Sequence, residues 1–452
     1  MSPDELSAGL ARVCARVSLG ALSCAPQRLT GGAVMESWRF ACGDEAFVLR
    51  CAPSLAFMEG RPYGHAVEAA LIEAARAKGV TAPEVVAVLE EADGLGSGFI
   101  MRALPGTADP KVILGCDNPS GLLREAARDL ARIHRLRQSD VPDGVPVMDY
   151  RAAIADLKQQ FMEAGGDRPI IALGLKWLED NCPAPVEPVL NHGDYRMGNL
   201  LIVDSHLTGV LDWELAHFGD PHEDLAFGCM AVWRFARYDR PALGLGRVED
   251  YLAAYEAEAG VKVDPGRFRF WTIYRTVWWA LGCLKMAAQW RSGADRTLER
   301  VVISRRTSEQ ELDLLLLLEG TAPRAKRRGW VPSSLSEQPF EYKGEATASE
   351  IAIAVSEWLA TLKDKLSGHD RFQLAVARNA LGILQREYHS EYDFQWLGRS
   401  DELCAEILSG AKTLADTYLL QDLRFAALEK VRADSPKYPA LAHARKKWLG
   451  EE

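Results

Sequence analysis

The sequence predicts an α+β chain with a small β-rich lobe, a larger α-rich lobe and a C-terminal helical bundle. Three observations predict it. Short β-type runs concentrate before residue 103. Apolar residues at helical spacing dominate from there to Gly320, interrupted by two short strands. A stretch with a basic cluster, Pro332, Ser333, Ser334 and Pro339 then separates that region from a further helical pattern. The expected ranges are 1–103 for the first lobe, 104–320 for the second, 321–344 for a linker and 345–452 for the bundle. A chain of 452 residues accommodates two or three domains at roughly 150 residues each.

Taken in order, Ser2-Pro3-Asp4-Glu5 reads as a helix start. Ser2 and Glu5 stand at capping-box spacing, Pro3 takes the first helical position, and apolar residues recur to about Val17. Trp38–Cys42 and Ala46–Cys51 are β-type runs joined by Gly43-Asp44, the pattern of a hairpin. Residues 66–78 are helical by period; 84–89 and 98–101 are β-like, split by the turn-forming run 93–98. In the second lobe only 200–203 and 209–211 read as strands. After the linker, 351–366, 372–388 and 403–431 carry apolar residues at helical spacing. The linker separates two self-sufficient apolar patterns, so a chain ending near Gly320 is expected to fold alone.

Composition narrows the function. With 53 Lys+Arg against 63 Asp+Glu, the net charge of −10 gives no general attraction to nucleic acid or anionic lipid. Nine scattered cysteines without a C-x-x-C pair suggest reduced thiols and a cytoplasmic location. The longest apolar run, Leu314–Leu318, is far too short to span a membrane. No phosphate-loop motif G-x-x-x-x-G-K-[ST] and no H-E-x-x-H is present, and Gly94-Leu95-Gly96 is a turn rather than a dinucleotide site.

The segment that carries chemistry is Asn191-His192-Gly193-Asp194-Tyr195-Arg196-Met197-Gly198-Asn199, followed by an apolar run and Leu211-Asp212-Trp213-Glu214. Phosphoryl transfer needs one carboxylate to take the proton of the attacking hydroxyl. It also needs a second carboxylate and an amide oxygen to hold Mg²⁺ against nucleotide phosphates. Asp194, Asp212 and Asn199 are those three groups, and a turn followed by a hairpin would bring them to one rim of a cleft.

On these residues the chain, over roughly 27–320, resembles the aminoglycoside phosphotransferase superfamily, whose signature is H-G-D-x-x-x-x-N followed by a hydrophobic-D-W-E segment. It is most similar to the branch found alone or fused to acyl-CoA dehydrogenases. The resemblance implies a bilobal protein-kinase-like fold, an ATP- and Mg²⁺-dependent kinase, Asp194 as catalytic base, and Asn199 and Asp212 as Mg²⁺ ligands. It also makes Gly219-Asp220-Pro221 with Asp224-Leu225-Ala226 a structural element. The nucleotide-binding lobe would cover the phosphates with Gly31, Gly32 and Ser37. That loop departs from the branch's usual G-G-A-S-x-E-T-W at Val34 and Ser37. Arg50 would reach the α/β-phosphates with Glu68 as its partner, Glu73 being the fallback, and the hinge from Met101 to Ala103 would pair with adenine. Arg196 stands where protein kinases place a lysine over the transferred group, and His192 would brace the loop.

The acceptor is the open question. The helix through Tyr274, Trp278, Trp279, Lys285, Trp290 and Arg291 has no acidic residue between Trp271 and Arg291, which suits an anionic acceptor such as a hydroxyacyl-CoA. The paired tryptophans equally suit core packing or a quaternary ammonium. An amino alcohol or aminoglycoside acceptor and a catalytically silent nucleotide-binding scaffold are the alternatives. A small molecule is the expected partner, with a protein partner or self-association open to the C-terminal bundle.

Overall fold

The structure, a computed structural model, describes residues 2–29, 35–235, 237–327, 348–388 and 400–451. Gly31, Gly32 and the linker residues 328–344 lie outside the described residues. The chain divides into two compact units. One comprises Met1–Asp149, Ala184–Cys229 and Trp233–Phe268; the other comprises Tyr150–Pro183, Met230–Val232 and Arg269–Glu452.

The first unit opens with α1 (Pro3–Arg16). The Glu5 amide donates to Ser2 Oγ and the Ser2 amide to Glu5 Oε2, so the capping box forms as read. Five strands follow: β1 (Gln27–Arg28), β2 (Glu36–Cys42), β3 (Glu45–Cys51), β4 (Val85–Val88) and β5 (Gly98–Arg102). They make one antiparallel sheet in the order β1-β2-β3-β5-β4. Gly43, at φ +59°, and Asp44 leave a two-residue turn between Cys42 and Glu45, so β2 and β3 are the expected hairpin. Leu6, Leu10 and Val13 of α1 pack with Phe40, Phe47, Leu49 and Ile100, the alternate residues of the strands. Helix α2 (His65–Ala77) packs on β4 and β5 and buries Leu71 and Ile72 in the larger core.

That core continues through α3 (Pro110–Leu114) and α4 (Pro119–Ile133) into the strands that carry the candidate site. β6 (Val189–Asn191) pairs antiparallel with β9 (His217–Gly219), and β7 (Leu200–Val203) pairs with β8 (His206–Val210). The first strand of this hairpin is where the sequence places it, but the return strand β8 starts three residues earlier than the expected 209, because Asp204 and Ser205 take φ of +46° and +67° and make the turn. Backbone bonds from Ile202 to Thr107 and from Val210 to Thr81 fix this hairpin in place. Further along the unit come α7 (Pro221–Phe227) and α8 (Val248–Ala259).

The second unit is helical among its described residues: α5 (Tyr150–Glu163), α6 (Pro169–Asp180), α9 (Pro265–Ser292, its part from Arg269 on), α10 (Leu298–Ser304), α11 (Thr307–Leu318), α12 (Arg324–Arg327), α13 (Ala348–Ala360), α14 (Gly368–Tyr388), α15 (Asp401–Ser409), α16 (Leu419–Asp434) and α17 (Pro439–Leu449). The helical pattern read over 403–431 falls on two helices, α15 and α16. Gly410, at φ +81°, closes α15 by donating its N–H to Ile407 O. Trp271 of α9 is core, packed edge-on against Tyr150 and Tyr274, whereas Trp278 and Trp279 are half-buried.

Candidate active site

The loop after β6 turns on Gly193, at φ +81°, where a Cβ would come within 2.2 Å of Leu215 O; only glycine fits. The buried carboxylate of Asp224 on α7 accepts from the amides of His192 (2.6 Å) and Gly193 (2.9 Å), and it meets His134 Nε2 at 3.4 Å. Burial opposes its charge, but these donors and the neighbouring imidazoles hold its pKa at about 2. His192 is fully buried. Its Nε2 is 3.1 Å from Leu211 O and its Nδ1 accepts from the Asp194 amide at 3.2 Å, which assigns the neutral Nε2–H tautomer. Burial lowers its pKa. The ring therefore ties the Asp194 turn to the strand end that carries Asp212.

Asp194 accepts from Arg196 Nε at 2.8 Å and from Asn199 Nδ2 at 2.6 Å. Its side chain is 14% exposed. Burial raises its pKa, Arg196 lowers it, and the nearby Asp212 raises it again, for a net rise. The same Asn199 amide group donates to Asp194 O at 2.9 Å, which commits its hydrogens and leaves its oxygen for another ligand. Arg196 lies with its guanidinium 4.6 Å from the Trp233 ring centre.

Asn199 O accepts from the Leu211 amide at 2.9 Å, which sets Asp212 beside the loop. Asp212 itself sits at φ +70°, a conformation costly for a residue with a Cβ and concentrated at functional sites. Arg50 Nη2 reaches Asp212 Oδ1 at 2.5 Å and Glu214 Oε2 at 3.1 Å. Arg50 Nε lies 3.1 Å from Glu68 Oε1, in contact but outside hydrogen-bond alignment. Glu68, not Glu73, is thus its helical partner, since Glu73 turns to Arg76 and the Val85 amide. Burial disfavours the Arg50 cation, but Glu68, Asp212 and Glu214 outweigh it and raise its pKa. Burial pushes the Glu68 carboxyl up to about 7 against the pull of Arg50. Burial and Asp212 together raise Glu214.

Ser37 lies in β2 opposite Arg50, and its carbonyl accepts from Leu29 N at 2.8 Å. Met101 is in β5 between Val48 and Val85. The Ala103 N–H donates to Ala46 O at 2.9 Å, so any base pairing at that residue would use its carbonyl. Sequence reasoning gave Glu214 no role beyond its place in the motif, and it missed Arg61, whose Nη1 contacts Glu214 Oε2 at 3.1 Å, and Tyr63, whose hydroxyl donates to Trp213 O. The two-residue spacing from Asp212 was a signal for Glu214; Arg61 and Tyr63 had none. Among the described residues no group of three or more His, Cys, Asp or Glu could hold a metal ion.

A sequence model described as the phosphotransferase enzyme family matches residues 27–263. The chain belongs to that family. A second model, a domain of unknown function, matches residues 364–438 of this phosphotransferase. Its relatives include mouse acyl-CoA dehydrogenase family member 10, 29% identical over 241 residues, and chicken acyl-CoA dehydrogenase family member 11, 28% identical over 226 residues. Those matches take 48% and 47% of this chain but only 22% and 28% of the relatives, so the chain spans about a quarter of their length. These relatives bear out the likeness to the branch associated with acyl-CoA dehydrogenases. The fold is shared with a Ralstonia eutropha protein described as an aminoglycoside phosphotransferase. The TM-score is 0.57 at 19% identity, covering 69% of this phosphotransferase and 98% of that chain. The kinase-like α+β architecture read from the sequence is the observed one. Among the described residues no helix is long and apolar enough to cross a membrane.

Proposed function

We propose that this phosphotransferase moves the γ-phosphoryl group of ATP to the hydroxyl of a small molecule, with a hydroxyacyl-CoA as acceptor. The observation that carries the transfer chemistry is the arrangement at Asp194, a largely buried carboxylate oriented by Arg196 and Asn199 with its pKa raised by burial. Asp194 takes the hydroxyl proton as the new O–P bond forms and the bond to ADP breaks. Arg196 keeps the carboxylate aligned and offsets negative charge at the transferring group. Asn199 and Asp212 offer an amide oxygen and a carboxylate, hard donors that fit Mg²⁺, which when bound supplies charge neutralisation at the nucleotide phosphates. Arg50, held by Glu68, would contact the α/β-phosphates, and Gly31, Gly32, Ser37, Met101 and Ala103 would line the nucleotide. His192 positions the loop. In this reading 1–103 is the nucleotide-binding part, 104–320 the catalytic and acceptor part, 321–344 a linker and 345–452 a bundle.

The acceptor rests on two supports, the names of the acyl-CoA dehydrogenase relatives and the absence of acidic residues between Trp271 and Arg291. A cationic alcohol would need carboxylates to offset its desolvation. The proposal also places the protein in the cytoplasm, consistent with nine free cysteines. Self-association or a protein partner would use the C-terminal helices, where Ile351, Val355 and Trp358 are exposed at helical spacing. The test is ADP release from Mg·ATP with 4-hydroxyacyl-CoA, its free hydroxy acid, choline and an aminoglycoside. The thioester should have the highest kcat/KM, weakened by salt. A preference for choline or the aminoglycoside overturns the acceptor, and no release with any of them overturns the transfer reaction.

A further inference from the structure

Helix α11 is buried almost all round. Ten of its twelve residues are buried, and besides four leucines these include Thr307, Ser308, Glu309, Gln310, Glu311 and Asp313. A helix enclosed on every side is ordinarily apolar, and carboxylates in such a place require partners. One side has an apolar neighbour: a Cβ on Gly174 of α6 would touch Leu314 and Val277. The acidic residues are met by the C-terminal helices.

Glu311, whose side chain is 1% exposed, pairs with Lys430 of α16 at 2.5 Å. Asp313 accepts from the Tyr438 hydroxyl at 2.5 Å, and Glu309 accepts from the Ser435 hydroxyl at 2.7 Å besides pairing with Arg306. Glu319, just past the helix, takes Arg424 of α16 at 2.5 Å and Trp448 Nε1 of α17 at 2.9 Å, and it pairs with Lys447. Ahead of the helix, Arg305 pairs with Asp434 at 2.6 Å and with Glu387 of α14 at 3.1 Å. The contact extends to α6, against which α15 packs and where Ser400 N donates to Asp167 O at 3.0 Å. Lys430, Arg424, Asp434 and Ser435 lie inside the stretch matched by the domain of unknown function.

We propose that this domain is an intramolecular clamp: its surface is built for the acidic helix α11 of its own chain, and α6, α11 and the C-terminal helices fold as one unit. Apolar patterning alone suggested a separable bundle. The buried ion pairs argue otherwise, because without α16 and α17 Glu311 and Glu319 lose their cations and face either desolvated charge or solvent. The inference needs no nucleotide and no acceptor, so it stands apart from the proposed reaction.

The test uses the full chain with a protease site placed between residues 328 and 347, cut after purification. The two fragments should co-elute on size-exclusion chromatography and melt in a single transition. Separation into two independently folded species overturns the clamp. In the uncut chain, Lys430→Met should lower the melting midpoint by roughly 5–10 °C, since one partner of a buried pair is left alone. The double variant Glu311→Leu with Lys430→Met should recover more than half of that loss. An unchanged melt for Lys430→Met also overturns the proposal, and if that variant does not fold, the cleavage experiment decides.

Discussion

Two groups of buried charge in this molecule are built differently. Around Arg50, the carboxylates of Glu68, Asp212 and Glu214 converge, with Asp194 close by. Arg50, Arg61 and Arg196 answer them, three cations for four acids. Along α11, Glu309, Glu311, Asp313 and Glu319 meet Arg306, Lys430, Arg424 and Lys447, four cations for four acids, with hydroxyl and indole donors between them. The first group has one acid more than it has cations, and burial raises the pKa of Asp194, Glu68 and Glu214. The second is neutral. A surplus is what a site needs if a cation is to join it, whereas a neutral set serves only to hold helices together.

The largest effect that would sharpen this contrast is on turnover. Asp194→Ala should lower kcat on the order of 10²–10⁴-fold with little change in nucleotide affinity, measured by steady-state kinetics and equilibrium binding. Asp212→Asn should weaken Mg·ATP binding by about tenfold or more in calorimetric titration, yet leave the melting midpoint of the nucleotide-free protein nearly unchanged. Arg50 retains Glu68 and Glu214. A large loss of stability there would make the site charges structural, like those of α11, and break the comparison.

Asp224→Asn probes a third case, a buried carboxylate that is fully satisfied. Its folded pKa of about 2 lies below the ordinary 3.8, so the stability it contributes is present above the ordinary value and is lost as pH falls through about 2. The variant should cost roughly 2 kcal/mol in denaturant unfolding at neutral pH, converging on wild type in acid. Arg196→Ala should slow turnover by about tenfold, with Lys restoring part of the rate through its point charge. The smallest expected effect is in the pH profile. A base with a raised pKa must lose its proton before it acts, so the acid limb of kcat/KM should lie above the ordinary carboxylate range. Arg196→Ala should move that limb further up, because Arg196 lowers the Asp194 pKa.

What could be read from the chain was local. The capping box of α1, the Gly43-Asp44 hairpin, α2 with Glu68 one helix after Arg50, and the loop of Asp194, Arg196 and Asn199 depend on residues close in sequence or on a fixed strand-helix order. The contacts that tune them were not legible. Asp224 reaches His192 across 32 residues, Arg61 reaches Glu214 across 153, and Lys430 reaches Glu311 across 119. Charged residues such as Glu309, Glu311 and Asp313 are ordinarily solvated on a helix, and nothing nearby in the chain marks them as buried.

The sequence by itself determined which functional groups this protein has and the order in which a turn and a hairpin present them, because backbone geometry over a few residues is set by those residues. The tertiary structure alone decided which carboxylates stay charged, which share a cation and which are sealed between helices. Ionisation and desolvation depend on everything within a few ångströms, and for Asp194, Glu68 and Glu311 most of that surrounding comes from distant parts of the chain.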